Sequence, residues 1–228
     1  MARGPRGSRP GGDQRFERPA RATGHRAHRR RAGVVISIGA APTTDRWRLF
    51  VAAPLPEDAA AAAWQALAEV RQRHPEARWL APEKLHLTLV FLGQTDAREV
   101  ERIAAAIASV AANHERYPIA TGEGGGRISD RRGGVAWLRL TDGARETAAI
   151  ALELDQALAT ATYDAGRPPH PHLTLARGVD QAALDDLRSA AREFRLAWTA
   201  DRLVLFRSHT DPHGSRYEEL ASTRLSGG

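Results

Sequence analysis

The sequence contains no cysteine, and this absence removes several kinds of chemistry at once. Without thiols the chain forms no disulfide, offers no cysteine ligand to zinc and has no thiol nucleophile. A chain without disulfides also fits a reducing cytoplasm, where we expect the protein to act. Lysine is nearly absent as well, since Lys84 is the only one in the chain.

Long apolar runs are missing too. No stretch approaches the roughly 18 apolar residues of a transmembrane helix, so no membrane partner is predicted. Residues 32–41 are short, interrupted by glycine and preceded by arginines, which is a poor match to a secretory signal. At 228 residues and 42% hydrophobic content, the chain suits one large domain or two closely packed lobes with a substantial core.

Residues 1–45 differ in composition from the rest of the chain. They hold ten arginines against three acidic residues, an excess of seven positive charges, so a total of +6 leaves −1 for residues 46–228. Glycine, proline and arginine without periodic apolar residues bury too little surface to offset the entropy of ordering. We therefore expect a disordered extension that is either nonfunctional or adds nonspecific affinity for RNA phosphates.

The most informative pattern is His-Leu-Thr-Leu, which occurs at residues 86–89 and again at residues 172–175. Successive side chains of a strand point to opposite faces, so the histidine and threonine of each copy share one face. The other face of the first copy is predicted to be apolar: Leu85, Leu87, Leu89, Phe91. Each strand can thus be anchored in a core while it presents polar groups to a groove.

The flanks of the two motifs also repeat. A glycine turn and an amphipathic helix follow each copy, over about residues 96–112 and 180–193. Upstream, an apolar run and a helix over about residues 57–73 correspond to a run and a helix over residues 144–160. This internal duplication predicts two similar lobes related by an approximate two-fold axis, with the two motif strands meeting across it.

These residues carry a family resemblance. The chain resembles the two-histidine phosphoesterases, and among them the RNA 2′,3′-cyclic phosphodiesterases, also called 2′-5′ RNA ligases. The resemblance extends over about residues 46–225 and rests on residues 48–56, 78–93, 171–177 and 203–208 with Gly214 and Tyr217. It implies an α+β fold: two pseudo-symmetric lobes, each an antiparallel sheet flanked by helices, with a central groove that carries both motifs.

Paired imidazoles and hydroxyls suit the opening of a cyclic phosphodiester. This reaction needs a base for water, an acid for the leaving ribose oxygen and donors for the phosphoryl oxygens. The resemblance implies that His86 protonates the 3′ oxygen, that His172 activates water and that the product ends in a 2′-phosphate. The near-symmetric pattern also permits the reverse roles. No metal or cofactor is required, and we expect a monomer.

The phosphate-binding residues implied by the resemblance are Thr88, Thr174 and Arg177. Strict alternation would place Arg177 on the leucine face of its strand, so contact with a ligand needs a twist or a bulge at the strand end. Lys84 could point a cation at phosphate or be a solvated turn residue.

Other patterns have competing interpretations. Residues 121–127 are glycine-rich but lack the ending of a nucleotide P-loop, so we interpret them as a mobile connection beside the groove. Trp137 is interpreted as a core residue rather than a base-stacking one. His170 and His172 could form a metal pair, but no third ligand is marked by spacing. His209 and His213 are interpreted as loop residues, and Ser208 and Tyr217 as groups that pack either behind the site or within a hairpin.

Three functions remain open from the sequence. The first is hydrolysis of RNA ends that bear a 2′,3′-cyclic phosphate. The second, in the same chemical class, is 2′-5′ ligation or action on small cyclic nucleotides. The third is an RNA-binding module whose histidines only grip phosphate. Turnover of a cyclic-phosphate oligonucleotide separates the third from the others, and the identity of the product separates the first two.

Overall fold

A computed structural model describes residues 34–36, 45–127, 133–160, 170–211 and 214–227, with residues 34–36 and Asp211 described through their backbone only. The strands in this part of the chain are β1 (Val34–Ile36), β2 (Arg46–Pro54), β3 (Arg78–Trp79), β4 (His86–Asp96), β5 (Tyr117–Arg127), β6 (Gly134–Asp142), β7 (His172–Val179), β8 (Ala197–Ala200), β9 (Arg202–Asp211) and β10 (Gly214–Arg224). Its α-helices are α1 (Glu57–Ala66), α2 (Ala68–Arg73), α3 (Val100–Ala111), α4 (Ala144–Leu158) and α5 (Gln181–Ala190).

The strands form one sheet in the order β1-β10-β9-β2-β4-β7-β6-β5-β8, with β3 paired to β7 off this path. All neighbouring strands are antiparallel. In the middle, β4 and β7 pair through a single register position, Leu87 with Leu173. We call the strands from β1 to β4 in this order the first half-sheet, and those from β7 to β8, with β3, the second half-sheet.

The two half-sheets repeat one pattern. The first contains β2, then α1 and α2, then β4 and α3, while the second contains β6, then α4, then β7 and α5. In each half the strand before the helix lies beside the motif strand. The predicted α+β fold with two pseudo-symmetric lobes is confirmed. The structure adds that the lobes share one continuous sheet through their motif strands.

The main core lies on the leucine face of this sheet. Leucines of both motifs are fully buried there, and they pack in one cluster with the inward residues of the helices: Ile103, Ile107, Ile150, Leu154, Leu184, Leu187. The hydrophobic repeat of each helix therefore covers the same face of the sheet. A second, smaller cluster lies apart from this core and contains Phe50, Ala52, Val204 and Phe206. The opposite face, which carries both motif histidines, is called the groove face below.

The basic extension needs one correction. Three of its residues, Val34–Ile36, form β1 and pair with Thr223, Ser222 and Ala221 of β10. Valine and isoleucine favour extended backbone, which explains a short strand inside an otherwise polar segment. Residues 1–33 and 37–44, for which disorder was predicted, lie outside the described residues.

Element boundaries differ in two further places. The helix predicted over residues 57–73 is divided at Leu67 into α1 and α2, and near this point Arg71 Nη2 donates a hydrogen bond to the Trp64 carbonyl at 3.1 Å. His209 lies in β9 rather than in a loop, and its Nε2 is 2.7 Å from Glu218 Oε2. His213 lies outside the described residues. None of the described helices is long and apolar enough to cross a membrane.

Candidate active site

The two motifs meet at the centre of the sheet. His86 begins β4 and His172 begins β7, and the only residues paired between these strands are Leu87 and Leu173, the next residue in each. In an antiparallel pair this register sets each histidine beside the threonine of the other motif. The leucines on either side are buried, so the polar residues of both motifs face the groove. The structure thus brings together the four motif residues that the sequence singled out.

Both histidine rings are held in the same way. His86 Nδ1 is 2.7 Å from the carbonyl oxygen of Lys84, and His172 Nδ1 is 2.9 Å from the carbonyl oxygen of His170. A carbonyl oxygen only accepts, so Nδ1 carries the proton and donates in each case. The neutral ring then presents Nε2 as its acceptor, which is the atom that can exchange a proton with a ligand. In each motif the carbonyl two residues upstream sets the tautomer.

A β-bulge follows the threonine in each motif. On β4, Val90 and Thr88 pair with the adjacent residues Val51 and Ala52, so Leu89 is the extra residue. On β7, Ala176 and Thr174 pair with adjacent residues of β6, so Leu175 is the extra residue there. Two consecutive buried residues result in both strands, and the alternation of faces is shifted beyond them.

This shift decides where the next side chains point. Arg177 is exposed and reaches the groove face, as a bulge at the strand end allows. Phe91, which alternation placed with the buried leucines, is 53% exposed, and its ring lies 6.1 Å from that of Phe50. The interpretation of Phe91 as a core residue was therefore wrong. The same bulge that turns Arg177 outward in β7 turns Phe91 outward in β4.

An aromatic ring supports each histidine. Phe50, only 3% exposed, lies 5.1 Å from the ring of His86, and Tyr217 meets the same ring edge-on at 5.4 Å. In the second half-sheet, Trp137 lies 5.4 Å from the ring of His172. Trp137 was interpreted as a core residue, and this is wrong, because its half-buried indole lies on the groove face. Strand alternation alone gave no sign of which face it would take.

The glycine-rich residues 121–127 are not a loop. They belong to β5, which pairs with β6, so the interpretation as a mobile connection was wrong. A Cβ at Gly124 would lie 3.2 Å from the α5 backbone, and a Cβ at Gly125 would lie 2.6 Å from Trp137 Nε1. The glycines thus let α5 approach one face of β5 and let the indole lie against the other.

The two halves of the groove differ in electrostatics. Burial lowers the pKa of His86 from 6.5 to about 4, the bond to the Lys84 carbonyl raises it, and the positive charges of Arg177 and His172 lower it. Both charges are therefore close enough to be felt at the ring. Arg139 adds a further exposed guanidinium group, since it pairs with His172 on β6. The rings beside His86 are aromatic instead: Phe50, Phe206 and Tyr217.

Beside His86 the first half-sheet borders a cavity of about 880 Å³. Its wall includes Lys84, Phe206 and Tyr217 but not His172. Lys84 ends a short turn, Pro82–Lys84, and is half-buried, so its clearest contribution is the carbonyl that orients His86. Among the described residues, no group of three or more histidine, aspartate or glutamate side chains is placed to hold a metal ion.

The duplicated fold and the facing His-x-Thr strands are those of a two-histidine phosphoesterase. A family model described as the 2′-5′ RNA ligase superfamily matches residues 56–212, and the chain belongs to this superfamily. Membership makes the chain an enzyme of the phosphoesterase type.

Individual relatives agree with this placement. The chain is 32% identical over 190 residues to the RNA 2′,3′-cyclic phosphodiesterase of Thermus thermophilus, with 79% of this chain and 91% of the relative covered. It is 27% identical over 183 residues to the enzyme of that name from Bacillus subtilis, covering 78% and 96%. The crystal structure of Escherichia coli LigT with 3′-AMP matches at a TM-score of 0.62 and 26% identity, covering 80% of this chain and 99% of that one.

Several residues of the groove were missed or underestimated from the sequence. Neither Phe50 nor Arg139 was singled out from the sequence. The duplication does not relate Phe50 to Trp137, because Phe50 lies opposite Phe91 of β4 whereas Trp137 lies opposite Thr174 of β7. Alignment of the two copies therefore gave no sign that each histidine has an aromatic ring beside it.

Proposed function

We propose that the protein hydrolyses RNA ends bearing a 2′,3′-cyclic phosphate and leaves a 2′-phosphomonoester. The observation that carries this proposal is the pair of imidazoles, each with Nδ1 bonded to a backbone carbonyl, on adjoining central strands of one groove. Two relatives that this chain matches over nearly all of their length bear the name RNA 2′,3′-cyclic phosphodiesterase, which supports the same substrate class.

The proposed reaction proceeds by one displacement at phosphorus. Water attacks opposite the 3′ oxygen and gives its proton to Nε2 of His172. The bond between phosphorus and O3′ breaks, and O3′ takes a proton from Nε2 of His86. The 2′-phosphomonoester and a free 3′-hydroxyl result, and the two histidines have exchanged protonation states, which solvent restores.

The donor role of His86 depends on the substrate. With a pKa of about 4 in the unliganded protein, His86 is neutral near pH 7, the form of a base rather than an acid. An anionic phosphodiester placed between the histidines opposes the charges of Arg177 and His172, and it favours the protonated ring. Binding of an inert phosphate diester near pH 6 should therefore be accompanied by proton uptake. If none is taken up, the roles are reversed and His86 is the base.

Three further groups stabilise the phosphoryl oxygens in this proposal. The hydroxyl groups of Thr88 and Thr174 stand on the groove face beside the opposing histidines, and Arg177 brings a guanidinium group to the same face. Donors fixed before the reaction lower the barrier because they need not reorganise as negative charge moves. Two imidazoles and these donors account for each proton and each charge, so we propose that no metal ion takes part. We also propose that residues 46–228 form the catalytic domain.

The decisive experiment is turnover of a short RNA with a 2′,3′-cyclic phosphate. We expect a single product with a terminal 2′-phosphate, identified by phosphorus NMR. A matched control is His170→Ala, since His170 lies two residues from His172 and contributes only its carbonyl oxygen. This variant should keep wild-type turnover. A 3′-phosphate product would contradict the proposed displacement, and tight RNA binding without turnover would make the protein a binding module.

A further inference from the structure

Two arginines lie side by side at the end of β7. The short strand β3 pairs with β7 so that Arg78 is opposite Arg177 and Trp79 is opposite Ala176. Directly opposed residues of an antiparallel pair project from the same face. Arg177 reaches the groove face, so Arg78 leaves the sheet beside it. Like charges in this position destabilise a sheet unless something between them compensates.

No carboxylate provides that compensation within the described residues. Seven other described arginines have an acidic partner, such as Arg202 with Glu219 at 3.0 Å and Arg188 with Asp185 at 2.8 Å. Among the described residues, neither Arg78 nor Arg177 has an acidic side chain as an ion-pair partner. Two adjacent guanidinium groups without a counterion form a site suited to an anion, and guanidinium matches phosphate oxygens in two-point hydrogen bonding.

The position of Arg78 is fixed by its neighbours. A Cβ at Gly178 would lie 3.6 Å from Cζ and both terminal nitrogens of Arg78, so the guanidinium plane rests over this glycine. Gly178 adopts a φ of 72°, which a larger residue there would strain. On the next residue, Trp79 Nε1 donates to the His74 carbonyl at 2.9 Å, and the Leu80 amide donates to Leu175 at 2.8 Å. The short strand is thus tied down on both sides.

The distribution of charge gives the groove a direction. Around His86 the groove is lined by aromatic rings of Phe50, Phe206 and Tyr217. The cavity beside His86 carries five carboxylates against three cations, so this side has no excess of positive charge. Around His172 it carries the guanidinium groups of Arg139 and Arg177, with Arg78 beyond. A ligand with one phosphate needs only the centre. A ligand with a second phosphate is attracted towards the second half-sheet, where the cations continue.

We infer that Arg78, next to Arg177, forms a second phosphate subsite that binds the phosphodiester on the 5′ side of the terminal nucleoside. This inference rests on the proposed function and deepens it, because it names the preferred substrate as an oligonucleotide rather than a cyclic mononucleotide. Arg177 contacts the reacting phosphate, and Arg78 contacts the next one along the chain. The subsite supplies affinity and takes no part in proton transfer.

The test compares two substrates in three proteins. The substrates are a dinucleotide that ends in a 2′,3′-cyclic phosphate and the matching 2′,3′-cyclic mononucleotide, and the proteins are wild type, Arg78→Gln and Arg145→Gln. Arg145 is an exposed arginine at the start of α4, on the helix-covered side, and serves as the control. We expect Arg78→Gln to lower the ratio of kcat/KM for dinucleotide over mononucleotide about tenfold, and Arg145→Gln to leave this ratio unchanged.

Salt dependence provides a second readout. Loss of one phosphate contact to a single strand should make the plot of log kcat/KM against log salt shallower by about 0.7 for the dinucleotide. Arg78→Lys keeps the charge and should keep most of that slope. Thermal unfolding of each variant shows whether the substitution has disturbed the fold.

Other results would overturn the inference. Equal losses on both substrates would place Arg78 at the reacting phosphate or in a purely structural role, and an unchanged ratio would remove the subsite. If wild type turns over neither substrate, the proposed function is wrong, and the subsite is then tested by ligand binding alone. Titration with adenosine 3′-phosphate and with the dinucleotide bearing a 3′-phosphate then tests whether Arg78→Gln weakens only the second ligand, as the subsite requires.

Discussion

Phe91 and Arg177 occupy equivalent positions, each five residues after the histidine of its motif, and both reach the groove face because a bulged leucine precedes them. One backbone device thus delivers an aromatic ring in the first half-sheet and a cation in the second. The duplication has kept its geometry while its chemistry has diverged. Because of this divergence, the two ends of a nearly symmetric groove differ: an aromatic ring lies at one end and a cation at the other.

The two histidines should act as one unit. General acid or base catalysis contributes about 10² to 10⁴ in rate, so His86→Ala and His172→Ala should each lower turnover by about that factor with little change in RNA binding. The double variant should be far less impaired than the product of the two single losses, because one proton transfer helps little once the other has failed. Near-normal turnover of either folded single variant would refute the paired mechanism.

The threonines should matter less than the histidines. Thr88→Ala and Thr174→Ala each remove one phosphate donor and leave proton transfer in place, so we expect losses of about 10-fold to 100-fold. Steady-state kinetics at saturating substrate measure this effect. Losses as large as those of the histidine variants would mean that the hydroxyl groups hold the rings rather than the phosphate.

Burial of His86 should make the fold sensitive to mild acid. The pKa of His86 is about 4 in the folded protein and about 6.5 in the unfolded chain. Between these pH values the unfolded chain therefore binds a proton at His86 and the folded protein does not. Stability is therefore full above about pH 6.5 and falls as the pH approaches 4, by up to about 3 kcal/mol.

The measurement is urea unfolding of wild type and His86→Gln across this range. The variant should lose less stability between pH 6.5 and 4 than wild type does. Carboxyl groups with lowered pKa, such as Asp96, are present in both proteins and cancel in the comparison. Parallel curves for the two proteins would show that the ring of His86 is as easily protonated as a solvated imidazole.

Gly125 should be needed to seat Trp137. A Cβ at Gly125 would lie 2.6 Å from Trp137 Nε1, so Gly125→Ala must displace the indole that lies against His172. We expect kcat to fall about 10-fold to 100-fold from misplacement of the imidazole, with little change in KM, together with a shift of tryptophan fluorescence. Gly227→Ala, where a Cβ meets no atom within 4 Å, is the matched control. Unchanged fluorescence and turnover in Gly125→Ala would show that the indole does not orient His172.

The sequence was most informative where a pattern is repeated. The two His-x-Thr strands and their helices could be predicted because alternation and helical periodicity are local properties, and the duplication tested each copy against the other. The glycine turns predicted after the motifs were wrong, since Gly93 and Gly178 lie inside β4 and β7. Phe91 and Trp137 could not be assigned correctly. The face of Phe91 depends on a bulge whose register is set by the neighbouring β2, and that of Trp137 on contacts with β5 and β7, which no local pattern reveals.

The prediction for the glycine-rich residues 121–127 was wrong for a related reason. Glycine usually marks turns, so residues 121–127 were assigned to a connection, yet in β5 their missing side chains make room for α5 and for the indole. Whether glycine is present for flexibility or for close packing depends on what lies opposite, which is a tertiary property. Arg177 is the counterexample: family resemblance required it on the groove face, and that requirement correctly implied a bulge.

Removal of metal ions should leave the enzyme active. The proposed mechanism assigns each proton transfer to an imidazole and each phosphoryl contact to a hydroxyl or guanidinium group. Exhaustive treatment with EDTA should therefore leave kcat within about twofold of the untreated value, measured on the cyclic-phosphate oligonucleotide. Complete loss that zinc or manganese restores would contradict the acid–base proposal, and loss of activity in His170→Ala would then implicate His170 and His172 as ligands.

Two truncations should separate the roles of the basic extension. Deleting residues 1–33 removes all ten arginines of the extension but keeps β1, so we expect turnover at saturating substrate to be unchanged and the salt dependence of RNA binding to become weaker. Deleting residues 1–44 also removes β1, which pairs with β10 at the edge of the sheet. An uncovered edge strand promotes association between chains, so this longer deletion should lower stability and increase aggregation. Light scattering and thermal unfolding measure both effects. A large fall in maximal turnover for the shorter deletion, at unchanged stability, would show that the extension contributes to the active site.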